Sequence, residues 1–96
     1  MTLSSALTCL ALNIYFEARS EDFYSQVAVA QVTLNRVNSP NYPSTVCQVV
    51  TQKDQFSWYW DGLSDTPKEA LVWTRSLSLA DLMLGKSVQV ACVADS

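Results

Sequence analysis

Glu17 is the residue of this sequence best placed to do chemistry. Leu3, Leu7, Leu10 and Ile14 recur at intervals of 4, 3 and 4, which is one face of a helix. The next steps on that stripe are Glu17 and Glu21. An acid that continues an apolar stripe is expected to face inward, here at the C-terminal end of its helix. Desolvation and the negative end of the helix dipole both disfavour the ionised carboxylate, so both raise its pKa. A carboxylic acid kept protonated near neutral pH is what a general acid requires. The competing expectation is a structural ion pair with Arg19, Arg36 or Arg75, because such pairs also perturb acids.

Two further acids, Glu21 and Asp22, follow closely. Two carboxylates flanking a sugar bond suit a two-acid glycosidase. Acids that begin a helix also serve simply to face its positive dipole end from solvent. The run Phe56-Ser57-Trp58-Tyr59-Trp60 offers flat rings, either as a stacking wall for sugars or as core filling. Asn35-Arg36 closes a helical segment and reads as structural.

Composition narrows the field. The chain has 96 residues, a net charge of −3 and no histidine. Without histidine there is no Ser–His–Asp triad, no Cys–His nucleophile pair and no imidazole metal ligand. Three cysteines with no CxxC spacing do not suggest a structural zinc site. The two glycines, Gly62 and Gly85, cannot build a phosphate-cradling loop. Nine acids against six bases argue against nucleic acid as a partner. No metal or organic cofactor is expected, and proton transfer falls to carboxylates and the few other titratable groups. Ala6–Ile14 is apolar but too short to span a bilayer, and Met1–Ser5 lacks the positive start of a signal peptide.

The elements that must position Glu17 follow from periodicity and caps. A first helix is predicted from Ser4 or Ser5 to Ala18, and a second from Phe23 to Val37 with Val27, Ala30, Leu34 and Val37 as its apolar stripe. Asn38–Pro43 is a turn cluster, after which Ser44 or Thr45 caps a short helix through Val46, Val49 and Val50. Gln52–Asp65, with its aromatic run and the Asp61-Gly62 turn pair, reads as a short strand or hairpin, or else an ordered loop. Thr66, Pro67 and Glu69 fit N-cap, N1 and N3 of a third long helix running to Leu84, with Gly85 at C′. Ser87–Val93 alternates weakly, as a final strand would. The expected fold is therefore α+β but mostly helical. It has three long helices, a short helix and a small β hairpin or strand element in one domain over residues 1–96.

Several blocks together resemble a known family. Asn13-Ile14-Tyr15-Phe16-Glu17-Ala18-Arg19, Gln26-Val27-Ala28-Val29-Ala30-Gln31-Val32 and Leu34-Asn35-Arg36-Val37 come in order. Tyr42–Val50 and Gln55-Phe56-Ser57-Trp58 follow. Their sequence and spacing are similar to the cell-wall hydrolases typified by the spore-cortex-lytic enzyme SleB. The family usually has glycine where this chain has Ser20 and Ser25. The resemblance implies a compact, lysozyme-like domain that cleaves peptidoglycan glycan strands between N-acetylmuramic acid and N-acetylglucosamine. It also implies that Glu17 is the catalytic acid. One carboxylate is enough for a lytic transglycosylase, because the second nucleophile belongs to the substrate. A hydrolytic muramidase would need a second acid, from Glu21, Asp22, Asp54 or Asp61.

The alternatives are a non-catalytic peptidoglycan-binding module and, less readily without histidine, a stem-peptide amidase. Tyr15, Gln26, Gln55, Phe56 and Trp58 are the candidate substrate-binding residues. Relatives continue into a histidine-bearing segment, and residues 1–96 are expected to stop short of it. Action at the cell envelope, as a monomer, is expected, with a phage lysis protein released from the host cytoplasm as one origin that needs no signal peptide. In an oxidising envelope Cys47 and Cys92 are the expected disulfide, with Cys9 a buried thiol in the first helix.

Overall fold

The computed structural model describes residues 5–52, Trp58 and 66–85, and within these the protein is built from four helices. They are α1 (Ala6–Ala18), α2 (Phe23–Val37), α3 (Val46–Thr51) and α4 (Ala70–Gly85). Each of the first three starts where a side chain accepts from an otherwise orphaned N–H. Ser5 accepts from Thr8, Asp22 from Ser25 and Thr45 from Gln48. At the other end of α2, Asn38 returns its N–H to the Leu34 and Arg36 carbonyls and its side-chain amide to Leu34.

Helix α1 is the centre of the molecule and packs against all three other helices. Every residue from Cys9 to Tyr15 is buried, so this helix is enclosed on all sides rather than along one stripe. Around it Ala30 and Leu34 of α2, Val46, Val49 and Val50 of α3, and Leu79, Ala80 and Met83 of α4 complete the core. The predicted α2 stripe is borne out, with Val27 and Val37 packed at the margin of that core.

A disulfide joins Cys9 of α1 to Cys47 of α3, with the Cα atoms 5.2 Å apart. This corrects the expected Cys47–Cys92 pairing. Cys9 is buried, but a buried cysteine pairs as readily as an exposed one when a second helix brings its partner alongside. Cys92 lies outside the described residues.

The β element is also corrected. No strand occurs among the described residues, and Trp58, at the centre of the expected hairpin, sits in a 3₁₀ turn. Aromatic residues favour strands because they fit half-buried surfaces, and here that surface is a helix. Trp58 is 5% exposed and packs on α1. The rest of Gln52–Asp65 beyond Gln52, like Ser87–Val93, lies outside the described residues.

The start of α4 differs from expectation too. Thr66–Glu69 is not helical, and the first turn begins at Ala70, with the Trp73 N–H reaching the Glu69 carbonyl at 2.9 Å. The N–H groups of Lys68 and Glu69 are instead taken by the Tyr15 hydroxyl, each at 3.1 Å. A tertiary acceptor replaces the local capping box, so the helix begins later than its sequence signal.

Candidate active site

Glu17 lies in the last turn of α1. The structure leaves it exposed, against the expectation that it faces inward. A helical stripe can advance by four as well as by three. After Ile14 the buried face continues through Ala18, 2% exposed, and turns Glu17 outward. The carboxyl is nonetheless partly screened from water, and this desolvation raises its pKa above the ordinary carboxylate value. Among the described residues no ion pair reaches it; the salt bridge in this region joins Arg19 to Glu69 at 3.3 Å. The structural ion pair proposed as the competing role for Glu17 is therefore not formed there. An acid with raised affinity for its proton, open to an incoming ligand and without a cationic partner, can deliver that proton.

The residues flanking Glu17 are held firmly. Phe16 stacks on Trp58, with centroids 5.1 Å apart and planes 19° from parallel. The Trp58 Nε1–H donates to Asn13 Oδ1 at 2.7 Å, and the Asn13 amide donates to Thr33 Oγ1 at 3.0 Å. Thr33 in turn donates to the Val29 carbonyl, one turn back on α2. Asn13 and Thr33 are both fully buried. A buried amide with both ends satisfied stabilises and orients; left half-satisfied it would cost folding energy. This relay fixes Trp58 against α1 one turn before Glu17. In the sequence its trace is Asn13, a polar residue inside an otherwise apolar run.

The remaining candidates divide. Tyr15 is fully buried, so its side chain supports the helix start described above and does not face a ligand. Its ring meets Phe16 and Trp73 edge-on and lies under the Arg19 guanidinium at 5.6 Å. Burial alone would raise the Tyr15 hydroxyl, but the Glu69 and Lys68 N–H groups and Arg19 outweigh it and lower its pKa. Gln26 is half-buried and donates to the carbonyl of Ala18 at 3.2 Å, with a longer contact to that of Glu21 at 3.5 Å. It ties α2 to the turn immediately after Glu17 and also lines a groove between α2 and α4. Trp58 is a buried anchor rather than an exposed wall. Gln55 and Phe56 lie outside the described residues.

Of the possible second acids, Asp22 is engaged as the α2 cap. The bonds from Ser25 hold its carboxyl below the usual range. Glu21 is exposed. Asp54 and Asp61 lie outside the described residues. No cluster of potential metal ligands occurs among the described residues, and none of their helices is long and apolar enough to cross a membrane.

Comparison with known proteins adds an independent line. The chain is 40% identical over 68 residues to a spore cortex-lytic enzyme of Bacillus subtilis, covering 66% of this chain and 22% of that protein. It is 44% identical over 61 residues to one from Halalkalibacterium halodurans, covering 62% of this chain and 18% of that protein. Over 61 residues it is 43% identical to one from Bacillus cereus, covering 62% and 24%. The chain thus spans about a fifth of the length of these relatives. No solved structure matches it significantly. The profile of the cell wall hydrolase family matches residues 20–92, a span that begins just after Glu17. With most of its length so matched, the chain belongs to the cell wall hydrolase family.

Proposed function

We propose that this protein degrades peptidoglycan by cleaving the glycan strand between N-acetylmuramic acid and N-acetylglucosamine, as a lytic transglycosylase with Glu17 as its acid. The observation that carries the reading is the state of Glu17: accessible, without an ion-pair partner among the described residues, and raised in pKa by desolvation. Family membership and the relatives named as spore cortex-lytic enzymes support the substrate class. The site of action is then the cell envelope.

Glu17 first donates its proton to the glycosidic oxygen. The bond to C1 of the muramoyl ring breaks, and oxocarbenium character develops there. The ionised Glu17 then takes the proton of the same sugar's C6 hydroxyl as that oxygen bonds to C1. A 1,6-anhydro ring forms, and Glu17 returns to its starting state. In this reading Gln26 and Tyr15 position the turn around Glu17, the Asn13 relay holds Trp58 on α1, and Gln55 and Phe56 contact the saccharide.

A hydrolytic reaction would draw on a second carboxylate. Asp22 is engaged in capping and Glu21 is exposed beside it, so Glu21 is the described residue that reading would use.

The test is Glu17→Gln on purified sacculi. The variant is expected to keep its fold and lose turbidity reduction. Wild-type activity in the variant would remove Glu17 from the mechanism. Mass spectrometry of the released muropeptides separates the reactions, since anhydro ends mark transglycosylation and reducing ends mark hydrolysis. Binding to sacculi with no release of fragments by the wild type would instead favour a non-catalytic binding module.

A further inference from the structure

Between the N-terminal turns of α2 and the middle of α4 lies a groove of about 310 Å³. That is the small end of the range for ligand sites, about 300–1,000 Å³, which suits a short flexible chain. Phe23 and Leu82 line it although they are 66% and 50% exposed. Placed at the rim of a concavity, these apolar groups are available to pack on an apolar part of a ligand. The one ionisable side chain in the lining is Arg75. No ion pair reaches Arg75 among the described residues, in a chain whose net charge is −3. Ser78 and Gln26 add polar groups. The Gln26 amide nitrogen is turned to the carbonyl of Ala18, next to Glu17, so the groove adjoins the end of α1 that carries the candidate acid.

We propose that this groove holds the peptide stem of peptidoglycan, with Arg75 taking a stem carboxylate and Phe23 and Leu82 packing on its alanine methyl groups. The inference rests on the reading of peptidoglycan as substrate. It adds a second point of recognition on the strand, because the stem branches from the lactyl group of the same muramic acid that Glu17 would cleave beside. A guanidinium suits a planar carboxylate through paired N–H donors. An apolar floor with one cation selects a short, methyl-bearing anionic peptide over the stripped sugar strand, whose lactyl carboxylate stays at the ring and brings no peptide chain to pack on Phe23 and Leu82. The Gln26 Oε1, bonded to nothing among the described residues, can accept a stem amide N–H.

The experiment uses the whole chain and two measurements. In the first, a soluble stem tripeptide bearing free carboxylates is titrated into isotopically labelled protein. The amide signals of Phe23, Gln26 and Leu82 are expected to shift saturably. Arg75→Gln is expected to weaken binding about fivefold or more, as is amidation of the peptide's carboxylates, while Arg75→Lys retains part of it. Glu17→Gln is expected to bind the peptide as the wild type does.

In the second measurement, Arg75→Gln is expected to raise KM on peptide-bearing strands while leaving cleavage of strands stripped of peptide unchanged. No saturable shift at the groove, equal affinity in Arg75→Gln, or an equal loss on both kinds of strand would overturn the proposal. Peptide binding without any strand cleavage by the wild type would sink the glycan-cleaving reading and leave the groove standing. Cleavage without peptide binding would do the reverse.

Discussion

Reducing the Cys9–Cys47 bond should bring the protein close to the edge of stability. The bridge closes a segment with a sequence separation of 38 residues. The loop-entropy relation then gives about 4 kcal/mol of stabilisation through restriction of the unfolded chain. Small domains have only about 5–15 kcal/mol in total, so the bond accounts for a large share. For a domain of this length each kcal/mol moves Tm by about 4–8 °C, and reduction should lower Tm by about 15–30 °C. The cleanest comparison is oxidised against reduced wild type, because both sulfur atoms stay in place and only the bond is lost. Cys9→Ala with Cys47→Ala would also empty part of the core, since Cys9 is fully buried, and should melt lower still. Thermal unfolding followed by circular dichroism, with and without a phosphine reductant, reads the shift. Alkylation of the unreduced, denatured chain should label no more than one cysteine, Cys92. A Tm change under about 5 °C, or three labelled thiols without reductant, would refute the reasoning.

Other outcomes follow from the same contacts. Tyr15→Phe leaves the Lys68 and Glu69 N–H groups without their acceptor and is expected to cost about 1–3 kcal/mol. Urea unfolding measures it, and the amides of residues 68–70 should lose protection in hydrogen exchange. Asn13→Ala removes both ends of the buried relay and is expected to cost about 2–4 kcal/mol, with a shift in Trp58 fluorescence; an unchanged Tm would show the relay to be unimportant. The desolvated Glu17 gives a signed pH effect. Its folded pKa lies above its unfolded one, so its ionised form disfavours the fold. That penalty is absent below the unfolded pKa and sets in as pH rises through the window between the two values. Glu17→Gln should therefore match wild-type stability at pH 3 and equal or exceed it at pH 7, and a loss confined to pH 7 would contradict the assigned direction.

The parts of the fold readable from sequence were those decided locally. The α2 boundaries follow from Asp22 at one end and the Asn38–Pro43 turn at the other, and both hold. Ser5 and Thr45 cap where a polar residue precedes an apolar run. What local pattern could not supply was any feature set by a partner far along the chain. Thr66-Pro67-Lys68-Glu69 carries every signal of a helix start, yet the Tyr15 hydroxyl delays it. The Phe56–Trp60 run has strand-forming residues, yet Trp58 finds Asn13 and Phe16 on a helix. The inward Glu17 failed for a subtler reason. A stripe at mixed spacing of three and four has two lawful continuations, and only the packing around Ala18 chooses between them. At the candidate site, the position of Glu17 in the last turn of α1 follows from the helix boundary, whereas the groove pairing Phe23 with Arg75 joins residues 52 positions apart in sequence and has no local signature.

The Tyr15 hydroxyl, finally, has a bearing on the order in which the chain assembles. Its two bonds reach residues 53 and 54 positions downstream, so the approach to α4 is pinned only once α1 is formed and presented. Local helices form within about a microsecond, but contacts that close long loops wait on chain search. The central helix thus acts as a template, and the segment leading into α4 is fixed on it by contacts that close a long loop. Tyr15→Phe should accordingly speed unfolding more than it slows folding.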